Sequence, residues 1–150
     1  MAGPSRPGLN RRLERFAGVL SLLAGSVHGL VTPAHFAEWW GYGLFFVFAA
    51  TAQVLFGIAL LTNAVNANDF GPRWLAMKRA LAAAGIVGNL LIMGVYVVTR
   101  TVGIPWFGPE AGEVEAVGPV DLVSKGLELA LVVALALLWR RLARADAAIA

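Results

Sequence analysis

Four long apolar stretches divide the charged residues of this chain into two groups of opposite sign. One group holds Arg6, Arg11, Arg12, Arg15, Arg73, Lys78, Arg79, Arg140, Arg141 and Arg144 against Glu14, Asp69 and Asp146, a net of +7. The other holds Glu38, Glu110, Glu113, Glu115, Asp121 and Glu128 against Arg100 and Lys125, a net of −4, and it includes both histidines, His28 and His35. A soluble fold has no cause to sort charge along the chain in this way. A membrane protein does, because Lys and Arg near span ends stay on the cytoplasmic side. The pattern predicts an all-α integral membrane four-helix bundle with four transmembrane spans and both termini cytoplasmic. Its expected location is a plasma membrane of bacterial type.

Composition agrees. The chain is 59% hydrophobic and 14% charged over 150 residues, which is one domain by length. A pI near 10 could suggest nucleic acid, but the basic residues form short clusters beside the apolar stretches. Attraction to anionic lipid explains them, and nucleic acid is set aside. There is no cysteine, which removes disulfides, thiolate metal sites and cysteine nucleophiles. The expected partners are the lipid bilayer and a homo-oligomer or larger membrane complex.

A span needs about 20 apolar residues. The spans are read as about 14–31, 34–63, 76–100 and 119–141, with an outer loop over 101–118. An arginine start before an apolar run also describes a signal peptide. A small-x-small cleavage pattern is poor here and three more spans follow, so the first span is expected to be retained. Thr32-Pro33 reads as a turn, with threonine as cap and proline as first residue of the second span. Trp39 and Trp40 read as an interfacial belt. Asn66 to Arg73 reads as a polar turn on the basic side. The long loop, with its Pro, Gly and aromatic residues, is either a functional cover or a plain connector.

Polar residues inside the spans fall on helical stripes. These are Gly18, Ser21, Gly25 and His28; then Glu38, Tyr42, Ala49 and Gln53; then Gly85, Asn89, Met93, Tyr96 and Arg100; then Asp121, Lys125 and Glu128. Gln53 and Asn89 lie near mid-span, where an interhelical hydrogen bond is expected. Glu128 lies roughly 13 Å below the start of its span. A carboxylate at that depth needs a partner, and Lys125 is the nearest candidate.

Three readings of the outer polar cluster stay open. Tyr42, Tyr96, Arg100, Asp121, Lys125 and Glu128 could form a ligand pocket or a polar core. Alternatively, His28, His35 and Glu38, joined by Glu110 or Glu113, could hold a divalent metal such as Zn, Fe, Mn or Cu. The last reading is a structural network of ion pairs: Asp121 with Lys125, Lys125 with Glu128, Arg100 with Glu38 or a loop glutamate. The expected function is therefore an extracytoplasmic polar, acidic site for a metal ion or small ligand. The rival is a non-catalytic accessory or assembly subunit. No nucleophilic triad, phosphate loop or dinucleotide fingerprint is present, so the sequence does not decide whether the protein is an enzyme.

The topology is testable because the chain has no native cysteine. An impermeant thiol reagent applied to intact cells should label Ala111→Cys and leave Ala67→Cys unlabelled. Labelling of Ala67→Cys alone would invert the orientation.

Overall fold

The computed structural model describes residues 7–65 and 72–147, and they form four α-helices. These are α1 (Pro7–Glu38), α2 (Trp40–Val65), α3 (Pro72–Thr101) and α4 (Pro119–Ala147). Three of the four begin on a proline, where a missing N–H costs nothing and the fixed φ suits the first turn. All four are long and apolar enough to cross a membrane. Even α2, at 26 residues, extends roughly 39 Å at 1.5 Å per residue, against a hydrocarbon core of about 30 Å. The expected turn at 66–73 lies outside the described residues except for its last two positions.

The expected turn at Thr32-Pro33 is not a turn. Helix α1 runs through Pro33 to Glu38, so His35 and Glu38 belong to α1 and not to a second span. An internal proline withholds one N–H and crowds the carbonyl four residues back. Here nearby side chains supply extra donors to that turn. The Thr32 hydroxyl donates to the His28 carbonyl at 2.8 Å, and His35 Nδ1 donates to the Val31 carbonyl at 2.9 Å. The carbonyl that Pro33 leaves without its N–H is that of Gly29, and these two bonds fall on either side of it. The break falls instead at Trp39, whose N–H still reaches the His35 carbonyl at 3.0 Å. Glycine permits so tight a hairpin. A Cβ on Gly41 would stand 2.1 Å from the Trp39 ring, and one on Gly43 would stand 2.2 Å from the Phe36 ring.

The helices pack in the order α2–α1–α4–α3, each antiparallel to its neighbour. The α1–α2 contact is the tightest. A Cβ on Gly57 would meet the Gly18 carbonyl at 2.8 Å, and the Ser21 hydroxyl donates to the Gln53 carbonyl at 2.6 Å. Backbones approach this closely only across small residues. The ring of helices is loosest between α2 and α3. There the link is made by long side chains: Gln53 Nε2 donates to Asn89 Oδ1 at 3.0 Å, and the Phe56 ring lies on Gly85. The Gln53–Asn89 bond meets the expectation for that pair. Asn89 in turn donates to the Gly85 carbonyl at 2.8 Å.

The interior is layered. An apolar core of Ala17, Leu20, Leu60, Ala82, Leu131, Ala134 and Leu135 fills the half nearer the chain termini. Polar side chains are buried above and below it: Glu14, Ser21, His28, Gln53, Asn89, Ser124 and Glu128. The outward surface is the reverse, with Leu30, Phe48, Leu91 and Leu122 exposed. Polar residues inside and apolar residues outside is the arrangement a lipid solvent selects.

The α1–α2 seam yields a stability test. Gly57→Leu drives a side chain into the Gly18 backbone, and the overpacked protein should melt lower, by about 1–3 kcal/mol. Gly94 has open space around it, so Gly94→Ala should be neutral or stabilise by up to about 1 kcal/mol through helix propensity. Thermal melts of both variants in detergent check this. Equal melting of wild type and Gly57→Leu would refute the close seam.

Candidate functional site

The hairpin at Trp39 and the loop after α3 meet at the same end of the bundle, here the loop end. The loop begins where Gly103, at φ +69°, ends α3 and sends its N–H back to the Val98 carbonyl at 3.0 Å. It is then pinned at several points. Glu115 N–H donates to the Thr99 carbonyl at 3.1 Å, and Gly112 N–H donates to Ile104 at 3.0 Å. Tyr42 donates its hydroxyl to the Phe107 carbonyl at 3.2 Å. Gly108, at φ +87°, must be glycine for that contact, since a Cβ would lie 2.3 Å from the Tyr42 oxygen. Phe107 stands edge-on to Trp39 with ring centres 4.8 Å apart. The loop is a seated roof over the bundle end.

Below the roof lies a network of ion pairs. Arg100, at the last turn of α3, reaches Glu115 of the loop and, at 3.1 Å, Asp121 of α4. Asp121 also accepts the Gly118 N–H at 2.9 Å, which caps the start of α4. Two turns deeper, Glu128 is fully buried. Its Oε1 accepts from His28 Nε2 at 2.7 Å, and its Oε2 accepts from Lys125 at 2.5 Å. Arg100 and Lys125 both lie against the Tyr96 ring, 5.1 and 5.2 Å from its centre. Two of the expected pairings are present, Lys125 with Glu128 and Arg100 with a loop glutamate. Asp121, expected beside Lys125, pairs with Arg100.

Between roof and network is a cavity of ≈160 Å³. Tyr42, Tyr96, Arg100, Asp121 and Lys125 line it, together with His28 and His35. Its apolar walls come from α1, α2 and α3, with Phe46 and Ile92 among them. Three polar atoms of its lining residues have no hydrogen-bond partner among the described residues: Arg100 Nε, the Tyr96 hydroxyl and His35 Nε2. Because His35 Nδ1 must donate to a carbonyl, neutral His35 offers Nε2 as an acceptor. The imidazole also packs on Phe46 at 3.8 Å between ring centres.

The residues expected to hold a metal are not gathered in this way. His28 spends its Nε2 on Glu128, and His35 spends Nδ1 on the backbone. Glu38, Glu110 and Glu113 are exposed. Among the described residues, no group of three or more His, Asp or Glu side chains is placed to hold a metal ion.

Two partnerships escaped sequence reasoning. His28 joins Glu128 across 100 positions. At the other end of the bundle, Glu14 is 2% exposed and pairs with Lys78 at 2.7 Å. A signal for both was present. Glu14, Ser21, His28 and His35 recur every seven residues, which keeps them near one face of α1. Compared with known proteins, the chain matches no family model, no curated protein and no solved structure.

Glu128 is the critical carboxylate of this network. Glu128→Ala leaves both His28 and Lys125 without their acceptor, and breaking a buried pair costs about 3–5 kcal/mol. Glu128→Gln keeps one acceptor oxygen and should cost less. Denaturation of the two variants in detergent should rank them in that order below wild type. Wild-type stability for both would mean that Glu128 is not held as described.

Proposed function

We propose that the protein spans a membrane with its loop end on the extracytoplasmic side, and that the cavity under the loop binds a small organic ligand. The charge sorting supports the orientation. The cavity itself carries the ligand reading. At 160 Å³ it has room for about five water molecules, at roughly 30 Å³ each in the liquid, which is more than one ion needs. It combines aromatic and aliphatic walls with a few convergent polar groups, the usual make-up of a small-molecule site. The absence of a gathered ligand set among the described residues disfavours the metal alternative. The ion pairs then serve the site as scaffold. They hold Arg100 and Lys125 in place, and they fasten the roof through Glu115.

The test is a thermal-shift screen of small neutral, cationic and anionic organic compounds on the purified protein and on Val31→Trp, which fills the cavity from its α1 wall. A ligand at one hundred times its Kd adds about 2.7 kcal/mol of stability. At least one compound class should raise the melting temperature of wild type and fail to raise that of Val31→Trp. No shift with any class, or equal shifts in both proteins, would refute the pocket.

A further inference from the structure

A second hollow of ≈180 Å³ lies in the gap between α2 and α3, lined by Phe56, Gly85, Gly88 and small neighbours with the hydrogen-bonded Gln53–Asn89 pair in its wall, and Ile92 borders both hollows. This is the pair of neighbouring helices that touch through side chains rather than closely packed backbones. Nothing stands within 4 Å of a Cβ built on Gly88, so the groove is open along that face of α3. From Tyr96 down to Gly85 the α3 backbone descends roughly 16 Å. In a bilayer this gap faces hydrocarbon. A polar head in the upper cavity would therefore continue as an apolar tail along α2 and α3.

The head must be neutral. Two cations, Arg100 and Lys125, already face three carboxylates, Glu115, Asp121 and Glu128. A phosphate head would meet a surplus of negative charge there. The head should also be able both to accept and to donate hydrogen bonds. Among the described residues Arg100 Nε is a donor without a partner and the Tyr96 hydroxyl is unengaged, and His35 Nε2 is an acceptor. It should be flat, because Phe46, Tyr96 and Phe107 supply ring faces and edges around the space. Building on the small-ligand reading above, we infer that the cavity and the α2–α3 groove together bind a neutral, ring-headed lipid of the quinone or quinol class, admitted sideways from the bilayer. Carbonyl oxygens accept from Arg100 and Tyr96; a quinol hydroxyl donates to His35.

The full-length protein in phosphatidylcholine nanodiscs tests this with two probes of one benzoquinone ring, carrying either a single isoprene unit or a ten-carbon chain. Binding is read by quenching of tryptophan fluorescence, with probe expressed as mole fraction of lipid. The long-tailed probe should bind about ten-fold tighter. Tyr96→Phe and His35→Leu should weaken both probes several-fold, and Gly88→Leu should weaken the long-tailed probe alone. Melting temperatures of the variants report whether each is folded. Phosphatidylglycerol added to the discs should not displace either probe; displacement would overturn the neutral head. Equal affinity for the two probes, with Gly88→Leu silent, would overturn the sideways route while leaving the upper pocket standing. No binding of either probe would overturn the quinone class. The compound screen against Val31→Trp would still decide the pocket separately.

Discussion

Glu128 has no solvent to turn to. It is fully enclosed by the bundle, and its two oxygens are divided between His28 of α1 and Lys125 of its own helix. Much of the loop end follows from that enclosure. His28 fixes how α1 is rotated against α4. Lys125 is drawn over the Tyr96 ring of α3, where Arg100 also lies. Arg100 then reaches outward to Asp121 and to Glu115 of the roof. One buried carboxylate thus ties three helices and a loop into a continuous polar framework. The cavity is the space which that framework leaves between itself and the roof.

Ion pairs of this kind are a poor source of net stability, because desolvation offsets most of their attraction. Their value here is geometric. A purely apolar bundle would slide and rotate with little penalty, since Leu against Leu resembles Leu against lipid. A bundle carrying Glu14–Lys78 near the termini, Ser21–Gln53–Asn89 in the middle and His28–Glu128 near the loop cannot do so. Each layer makes its cross-helix bonds in the register observed.

The four helices were legible because hydropathy and charge sorting act over long windows and tolerate local error. The polar stripes were legible for the same reason: Gln53 meets Asn89, and Lys125 meets Glu128, as helical spacing implied. The Thr32-Pro33 pair misled because it is a sound helix start in water-soluble proteins, whereas here Thr32 and His35 donate to neighbouring carbonyls and α1 runs on. That single shift moved His35 and Glu38 from α1 onto a second span. The helical spacing brought Tyr42, Tyr96, Arg100, Asp121 and Lys125 toward one site, and all five line the cavity, but the shape of that cavity was not legible. It depends on Glu115 folding back onto Thr99 and Arg100, and loop conformation of that sort leaves no periodic trace. The same holds for the loose α2–α3 contact, which is a property of packing among four helices.

The seven-residue polar ladder on α1 bears on how the chain is made. His28 leaves the ribosome 100 residues ahead of the Glu128 it will face, an interval of roughly 5–20 s at ordinary synthesis rates. During that time α1 carries Glu14, Ser21 and His28 with their final partners incomplete. Such a helix is a poor lodger in hydrocarbon by itself. In a membrane, α1 would have to wait beside the insertion machinery, or lean on α2 through the Ser21 bond, until α4 emerges. There α4, made after α1, α2 and α3, would be the helix that lets α1 settle.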